Sequence, residues 1–222
     1  MPDLNAYREL RAASEQEGAT LVAVSKRKSV ADIRALYEAG HRDFGENYVQ
    51  ELAEKQPELP KDIRWHFIGS LQRNKVKQIV PFVHLVHGID SLRLAAEIDK
   101  RGRAVGRIVD VLFQVDVTDE DTKHGFTPAE LNKLLAGDEV HRLAWVRPCG
   151  IMGMASHTDD QDRLSTEFER LRKTFDTLGE RYYARRPEWS TLSMGMSGDY
   201  ELALTHGSTM IRVGSLLFGA RD

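Results

Sequence analysis

The sequence lacks the features that would indicate a secreted, membrane-bound or nucleic-acid-binding protein. Among its 222 residues Cys149 is the one cysteine, so no disulfide framework can form within the chain, and a cytoplasmic location is predicted. No apolar run approaches the length of a membrane span, and the polar first residues lack the apolar core of a signal peptide. The formal net charge of −3 provides no basic excess for nucleic acid. We therefore expect neither membrane nor nucleic acid as a partner, and Cys149 as a small buried hydrophobe.

Short apolar runs, many of them β-branched, alternate with segments that have helical spacing of apolar residues. Strands that alternate with helices predict a parallel sheet. Eight such units predict an α/β fold, a (β/α)₈ barrel of the TIM type that forms one domain over residues 1–222. An extra amphipathic helix around Leu4, Tyr7 and Leu10 is predicted to precede the barrel. The predicted strands cover residues 20–25, 42–44, 64–68, 83–88, 108–116, 144–152, 191–194 and 210–213.

Hydroxyl side chains mark the starts of three predicted helices. Ser29, Ser91 and Thr127 each precede a segment with helical spacing, and Pro128 follows Thr127 at the first helical position. Serine and threonine are favoured as N-caps because their oxygen accepts a free backbone N–H, and proline fits the first turn. The predicted helices therefore begin at chemically appropriate residues.

Glycine and hydroxyl residues cluster twice near the end of the chain. Residues 193–199 read SMGMSGD and residues 207–214 read GSTMIRVG. A backbone with few side chains can bring several N–H groups to one anion, and hydroxyl groups add further donors. Each motif alone indicates no more than a turn, but barrels often hold phosphate in the loops after strands seven and eight. Because Arg212 also places a charge within the last predicted strand, we interpret the pair as a phosphate site.

Lys26 ends the first predicted strand and points to the same side as Val22 and Val24. An apolar floor and a nearby cation such as Arg212 would favour the neutral, nucleophilic amine, which can form a Schiff base with an aldehyde. A solvated loop lysine is the alternative interpretation, since two more basic residues follow directly. The phosphate site favours the first interpretation, because a phosphorylated aldehyde needs both features.

At these residues the chain resembles the pyridoxal-phosphate homeostasis proteins, the YggS/PROSC group, over essentially its whole length. The resemblance rests on the two motifs above and on residues 23–26 (AVSK), 44–51 (FGENYVQE) and 66–75 (HFIGSLQRNK). It implies a barrel like the N-terminal domain of alanine racemase, the fold type III of proteins that bind pyridoxal 5′-phosphate (PLP).

The resemblance also implies where PLP would be held. PLP would form a Schiff base with Lys26, Asn47 would lie near the ring, and Arg212 would face the pyridine nitrogen. The residues implied to hold the phosphate are Ser197, Gly207, Ser208 and Thr209.

Arg212 bears on whether such a site is catalytic. An arginine donates a hydrogen bond to a ring nitrogen without readily protonating it, so the ring is a weaker electron sink. Racemisation also needs an acid and a base on opposite faces of the substrate, and no spacing supports Tyr48 or His157 in those roles. We therefore predict no catalytic residues and no metal site. The predicted function is a monomeric PLP-binding protein of PLP homeostasis, with PLP-dependent apoenzymes as partners.

Two other functions use the same residues. One is a weak PLP-dependent enzyme of the racemase type. The other is a cofactor-free aldolase that acts on a phosphorylated sugar through the same lysine. The charged segment at residues 119–124, which borders the expected barrel mouth, is interpreted as solvated.

Overall fold

Eight parallel β-strands close into a barrel in the order in which they occur along the chain. The structure is a computed structural model that describes residues 1–118 and 125–219, so the charged segment at 119–124 lies outside the described residues. The predicted barrel is confirmed, and no strand end differs from its predicted position by more than two residues. The strands are β1 Thr20–Val24, β2 Asp43–Glu46, β3 Arg64–Phe67, β4 Leu85–Ile89, β5 Val109–Val115, β6 Val146–Gly153, β7 Thr191–Ser193 and β8 Met210–Val213.

The helices follow the strands, and the predicted extra helix precedes β1. Ser29 and Thr127 each form a capping box, accepting the N–H three residues later while that residue's carboxylate bonds back. Ser91 caps its helix through the N–H of Leu94 at 3.3 Å. In the described part of the chain no helix is both long and apolar enough to cross a membrane. The helices are α1 Leu4–Gln16, α2 Val30–Glu38, α3 Val49–Lys55, α4 Val76–Ile79, α5 Leu92–Val105, α6 Pro128–Ala136, α7 Gln161–Tyr182, α8 Tyr200–Thr205 and α9 Ser215–Phe218.

Apolar side chains of the strands divide between two clusters. In β1, Leu21 and Ala23 join the large cluster between the sheet and the helices, whereas Val22 joins a small one inside the barrel. Burial raises the pKa of the Cys149 thiol, in this inner cluster, to about 12, which confirms it as a buried small residue. The inner cluster consists of Val22, Leu85, Leu112, Cys149, Met152 and Met210.

The buried His41 makes the stability of the fold depend on pH. It lies edge-to-face against Tyr7 and Phe44, and burial lowers its pKa from 6.5 to about 4. Between these two pH values the unfolded chain binds a proton that the folded chain does not, so stability present above pH 6.5 is lost as pH falls. We expect His41→Gln to flatten this dependence by up to about 1.4 kcal/mol per pH unit. Urea unfolding of both proteins at pH 7, 6 and 5 measures the difference, and parallel pH curves would contradict it.

Candidate functional site

Lys26, Ser197 and Gly214 each follow a strand, at the end of the barrel where the strands finish. Lys26 is half-buried and follows β1, which pairs with β8 so that Gly214 lies beside Val24. A Cβ built on Gly214 would be 3.3 Å from the Val24 carbonyl oxygen, so a side chain here would press on the end of β1. The Gly214 N–H donates to Ser197 Oγ at 3.2 Å. A backbone N–H, a hydroxyl and an amine therefore share one end of the barrel.

The loop that carries Ser197 is fixed by its own residues. Asp199 accepts the Met196 N–H at 2.6 Å, and Gly195 has a positive φ of 94°. A Cβ on Gly195 would approach the Ala203 side chain to 2.6 Å, so the turn after β7 requires glycine. The hydroxyl of Ser197 is therefore held on a defined turn.

Three residues that the resemblance placed at the phosphate lie elsewhere. Gly207, Ser208 and Thr209 precede β8, and the Thr209 carbonyl accepts the N–H of Thr20 at the start of β1. Thr209 Oγ1 accepts the Leu192 N–H at 2.8 Å, and the buried Ser208 hydroxyl donates to the carbonyl that follows β7 at 2.7 Å. Since parallel strands all begin at one end of a barrel and finish at the other, the expectation is corrected. These hydroxyl groups join β7 to β8 and do not meet Lys26.

Arg212 lies on β8 inside the barrel, two residues before Gly214. It pairs with Val22 in the sheet and is 5% exposed. Its guanidinium donates to the Ser193 carbonyl at 2.9 Å, to Ser193 Oγ at 2.7 Å and to the Gly153 carbonyl at 3.0 Å. Burial lowers its pKa to about 10, so it stays protonated at neutral pH. The predicted charge within β8 is thus present, buried and held by polar partners.

Asn47 offers a buried polar atom to this end of the barrel. It follows β2, and its Oδ1 is buried without a hydrogen-bond partner among the described residues. A Cβ on Gly69 would lie 2.2 Å from the Asn47 carbonyl oxygen, so the loop after β3 packs directly on this backbone. A buried amide oxygen without a partner is costly, which fits a position that contacts a ligand.

A buried ion cluster beneath Lys26 was not predicted. Lys55 donates to the Ser25 carbonyl and to Glu46, each at 2.8 Å, and to Glu51 at 2.6 Å. Burial raises the pKa of Glu46, opposed by the charge of Lys55. The spacing of Glu51 and Lys55, four residues apart on a helix, was the available signal. The cluster fixes the backbone that leads into Lys26.

Arg27, directly after Lys26, has a left-handed backbone with φ of 60°. The Glu51 carboxylate accepts its N–H and so stabilises the turn. A side chain in this conformation costs about 1–2 kcal/mol, which glycine avoids. We therefore expect Arg27→Gly to be about 1 kcal/mol more stable than Arg27→Ala, measured by urea unfolding. Equal stability of the two variants would show that the turn is not strained.

Two further candidates, Tyr48 and His157, border the site with exposed side chains. Tyr48 is 47% exposed, and its ring centroid lies 5.9 Å from the Arg27 guanidinium. His157 is exposed. Within residues 1–118 and 125–219, no group of three or more His, Cys, Asp and Glu side chains is arranged to hold a metal ion.

The fold and the site together define a (β/α)₈ barrel with a lysine-centred site where its strands end. The family model described as "Alanine racemase, N-terminal domain" matches residues 5–222. The chain belongs to this family and, within it, to the pyridoxal phosphate homeostasis proteins. The protein of that name from Vibrio alginolyticus is 38% identical over 97% of this chain and 92% of its own length. The one from Escherichia coli K12 is 38% identical over 96% and 90%.

Solved structures support the same grouping. PipY of Synechococcus elongatus, described with PLP bound, has a TM-score of 0.85 and is 35% identical, covering 96% of this chain and all of its own. Alanine racemase from Streptomyces coelicolor has a TM-score of 0.77 and is 22% identical, covering 99% of this chain and 59% of its own. At that identity the racemase shows the fold alone.

Proposed function

We propose that this chain binds PLP at Lys26 and serves PLP homeostasis. The observation that supports the proposal is the Ser197–Gly214 contact, which lies at the same end of the barrel as Lys26 and above the buried Arg212. Membership in a family whose curated relatives are named for PLP homeostasis supports it, as does the related structure described with PLP bound.

Each residue has a distinct role in this proposal. When bound, PLP supplies a reactive aldehyde and an electron-withdrawing ring. The Lys26 amine would hold PLP through that aldehyde, and the Ser197 hydroxyl, which accepts the Gly214 N–H, would donate to the phosphate. Arg212 would donate a hydrogen bond to the ring nitrogen, and Asn47 would offer its buried Oδ1 to the ring.

We infer a role in binding rather than in turnover. Arg212 would donate to the ring nitrogen without protonating it, which would leave the ring a poor electron sink. The relatives are named as homeostasis proteins, not as enzymes of a given reaction. We further propose that residues 1–222 act as one monomeric unit in the cytoplasm and exchange PLP with PLP-dependent apoenzymes. Sedimentation and transfer of PLP to an apoenzyme test these points.

Reduction with borohydride tests the binding proposal directly. Titration of the purified chain with PLP should produce a visible absorption band, and reduction should leave a phosphopyridoxyl mass on the peptide that contains Lys26. A chain that takes up no PLP would overturn the proposal and favour a cofactor-free lysine enzyme. Rapid exchange of the α-hydrogen of amino acids, dependent on Lys26, would instead identify a PLP enzyme.

A further inference from the structure

A continuous chain of hydrogen bonds crosses the barrel interior from Arg212 to Asp43. Arg212 donates to Ser193 Oγ at 2.7 Å, and that oxygen lies 3.2 Å from His87 Nδ1. His87 Nε2 lies 3.0 Å from His66 Nδ1, and His66 Nε2 lies 3.1 Å from Asp43 Oδ1. All five residues are buried. Four strands besides β8 therefore contribute to one polar path.

Asp43 fixes the direction of every bond in this hydrogen-bond chain when both imidazoles are neutral. An ionised carboxylate only accepts, so His66 Nε2 carries the hydrogen, and in the neutral ring Nδ1 accepts. His87 then donates from Nε2 to His66 and accepts at Nδ1 from the Ser193 hydroxyl. The Ser193 oxygen in turn accepts from Arg212, which only donates. Both imidazoles are thus held in one tautomer, protonated at Nε2.

The charges of Asp43 and Arg212 keep the hydrogen bonds in this direction. Burial alone would raise the pKa of Asp43, but hydrogen bonds from Arg64 and His66 outweigh it, and the pKa lies well below its usual range. Arg212 retains its proton, with a pKa of about 10. Burial lowers the pKa of His87 well below its usual range, so this ring stays neutral. Transfer of a proton from Arg212 to Asp43 is therefore strongly unfavourable, and the path is a fixed dipole rather than a proton conduit.

We propose that Asp43, His66 and His87 are positioning residues for Arg212, which they hold oriented and polarised beneath the PLP ring. This inference rests on the proposed function, in which Arg212 faces the ring nitrogen. Asp43 begins β2 and Asn47 follows it, which separates Asp43 from the site by about 13 Å along the strand. Asp43 therefore does not touch PLP directly, and its effect on bound PLP would pass through the hydrogen-bond chain to Arg212.

Nitrogen NMR of ¹⁵N-histidine-labelled protein without PLP tests the tautomers. At pH 8, above the ordinary imidazole pKa of about 6.5, two buried histidines should show hydrogen at Nε2. Signals are assigned with His66→Gln and His87→Gln. Either ring protonated at Nδ1 in the wild-type protein would overturn the inference, whatever the variants do.

Asp43→Asn tests the effect on the cofactor. The variant should lose the single tautomer, shift the absorption maximum of bound PLP and weaken PLP binding about tenfold. Asp110→Asn is the matched control. Like Asp43, Asp110 lies near the start of its strand and binds an arginine, Arg147, through both carboxylate oxygens. It is not part of the hydrogen-bond chain. Identical tautomers and spectra for the two variants would overturn the inference. If the wild-type protein takes up no PLP, the proposed function fails. The tautomers alone still decide whether the hydrogen-bond chain exists.

Discussion

Lys26→Ala is expected to abolish covalent retention of PLP while the barrel stays folded. The nearest lysines in sequence cannot replace it, since Lys28 donates to the Phe218 carbonyl at 3.0 Å and Lys55 is buried in its ion cluster. The visible band and the borohydride-fixed mass should therefore disappear completely. Ser197, Gly214 and Arg212 remain, so weak, reversible binding of PLP should persist and can be measured by equilibrium dialysis.

Lys28→Ala is the matched control, because it removes a neighbouring lysine from the same loop. It should keep the band and the mass on the Lys26 peptide. Circular dichroism shows whether each variant is folded. A phosphopyridoxyl group that appears on Lys28 or Lys55 of folded Lys26→Ala would contradict the assignment of Lys26 as the attachment point.

The barrel was predictable because its signals are local. Buried parallel strands are short apolar runs, and the hydroxyl at Ser29 or Thr127 marks where a helix begins. Each such signal lies within a few residues of the element that it defines. The strand ends then follow to within two residues, and the closed order follows from the alternation of strands and helices.

The site was predictable only in part because strand polarity decides which motif residues meet. Lys26, Ser197 and Gly214 follow their strands and share one end of the barrel. Gly207 and Thr209 have the same chemistry as Gly214 and Ser197 but precede β8. Composition does not distinguish the start of a strand from its end, so the prediction placed Gly207, Ser208 and Thr209 at the phosphate together with Ser197.

The polar path through the barrel is not readable from the sequence. Its members are separated by about twenty to more than one hundred positions, and each one alone is a common buried polar residue. His66 and its partners His87 and Asp43 become neighbours only through the register of three adjacent strands. Sheet closure, and not any local motif, aligns them.

Lys55→Met is expected to destabilise the chain by about 3–5 kcal/mol, the usual cost of leaving a buried charge without its partner. Lys55 holds Glu46 and Glu51 and also the carbonyl that precedes Lys26. PLP binding should weaken as well, because the backbone that aims Lys26 loses its anchor. Urea unfolding and PLP titration measure the two effects. The exposed Lys77→Met is the control and should change the free energy of unfolding by no more than about 0.5 kcal/mol.

The charge of Glu46 is the reason for this cost, and two measurements isolate it. Adding Glu46→Gln to Lys55→Met removes the uncompensated carboxylate and should restore part of the lost stability. Burial raises the pKa of Glu46 and the charge of Lys55 opposes that rise, so the pKa should be higher still in Lys55→Met, and stability is lost as pH rises through it. The deficit of Lys55→Met relative to wild type should therefore shrink as pH falls from 8 toward 5. A deficit that is unchanged by pH and by Glu46→Gln would assign the cost to lost packing of the lysine side chain instead.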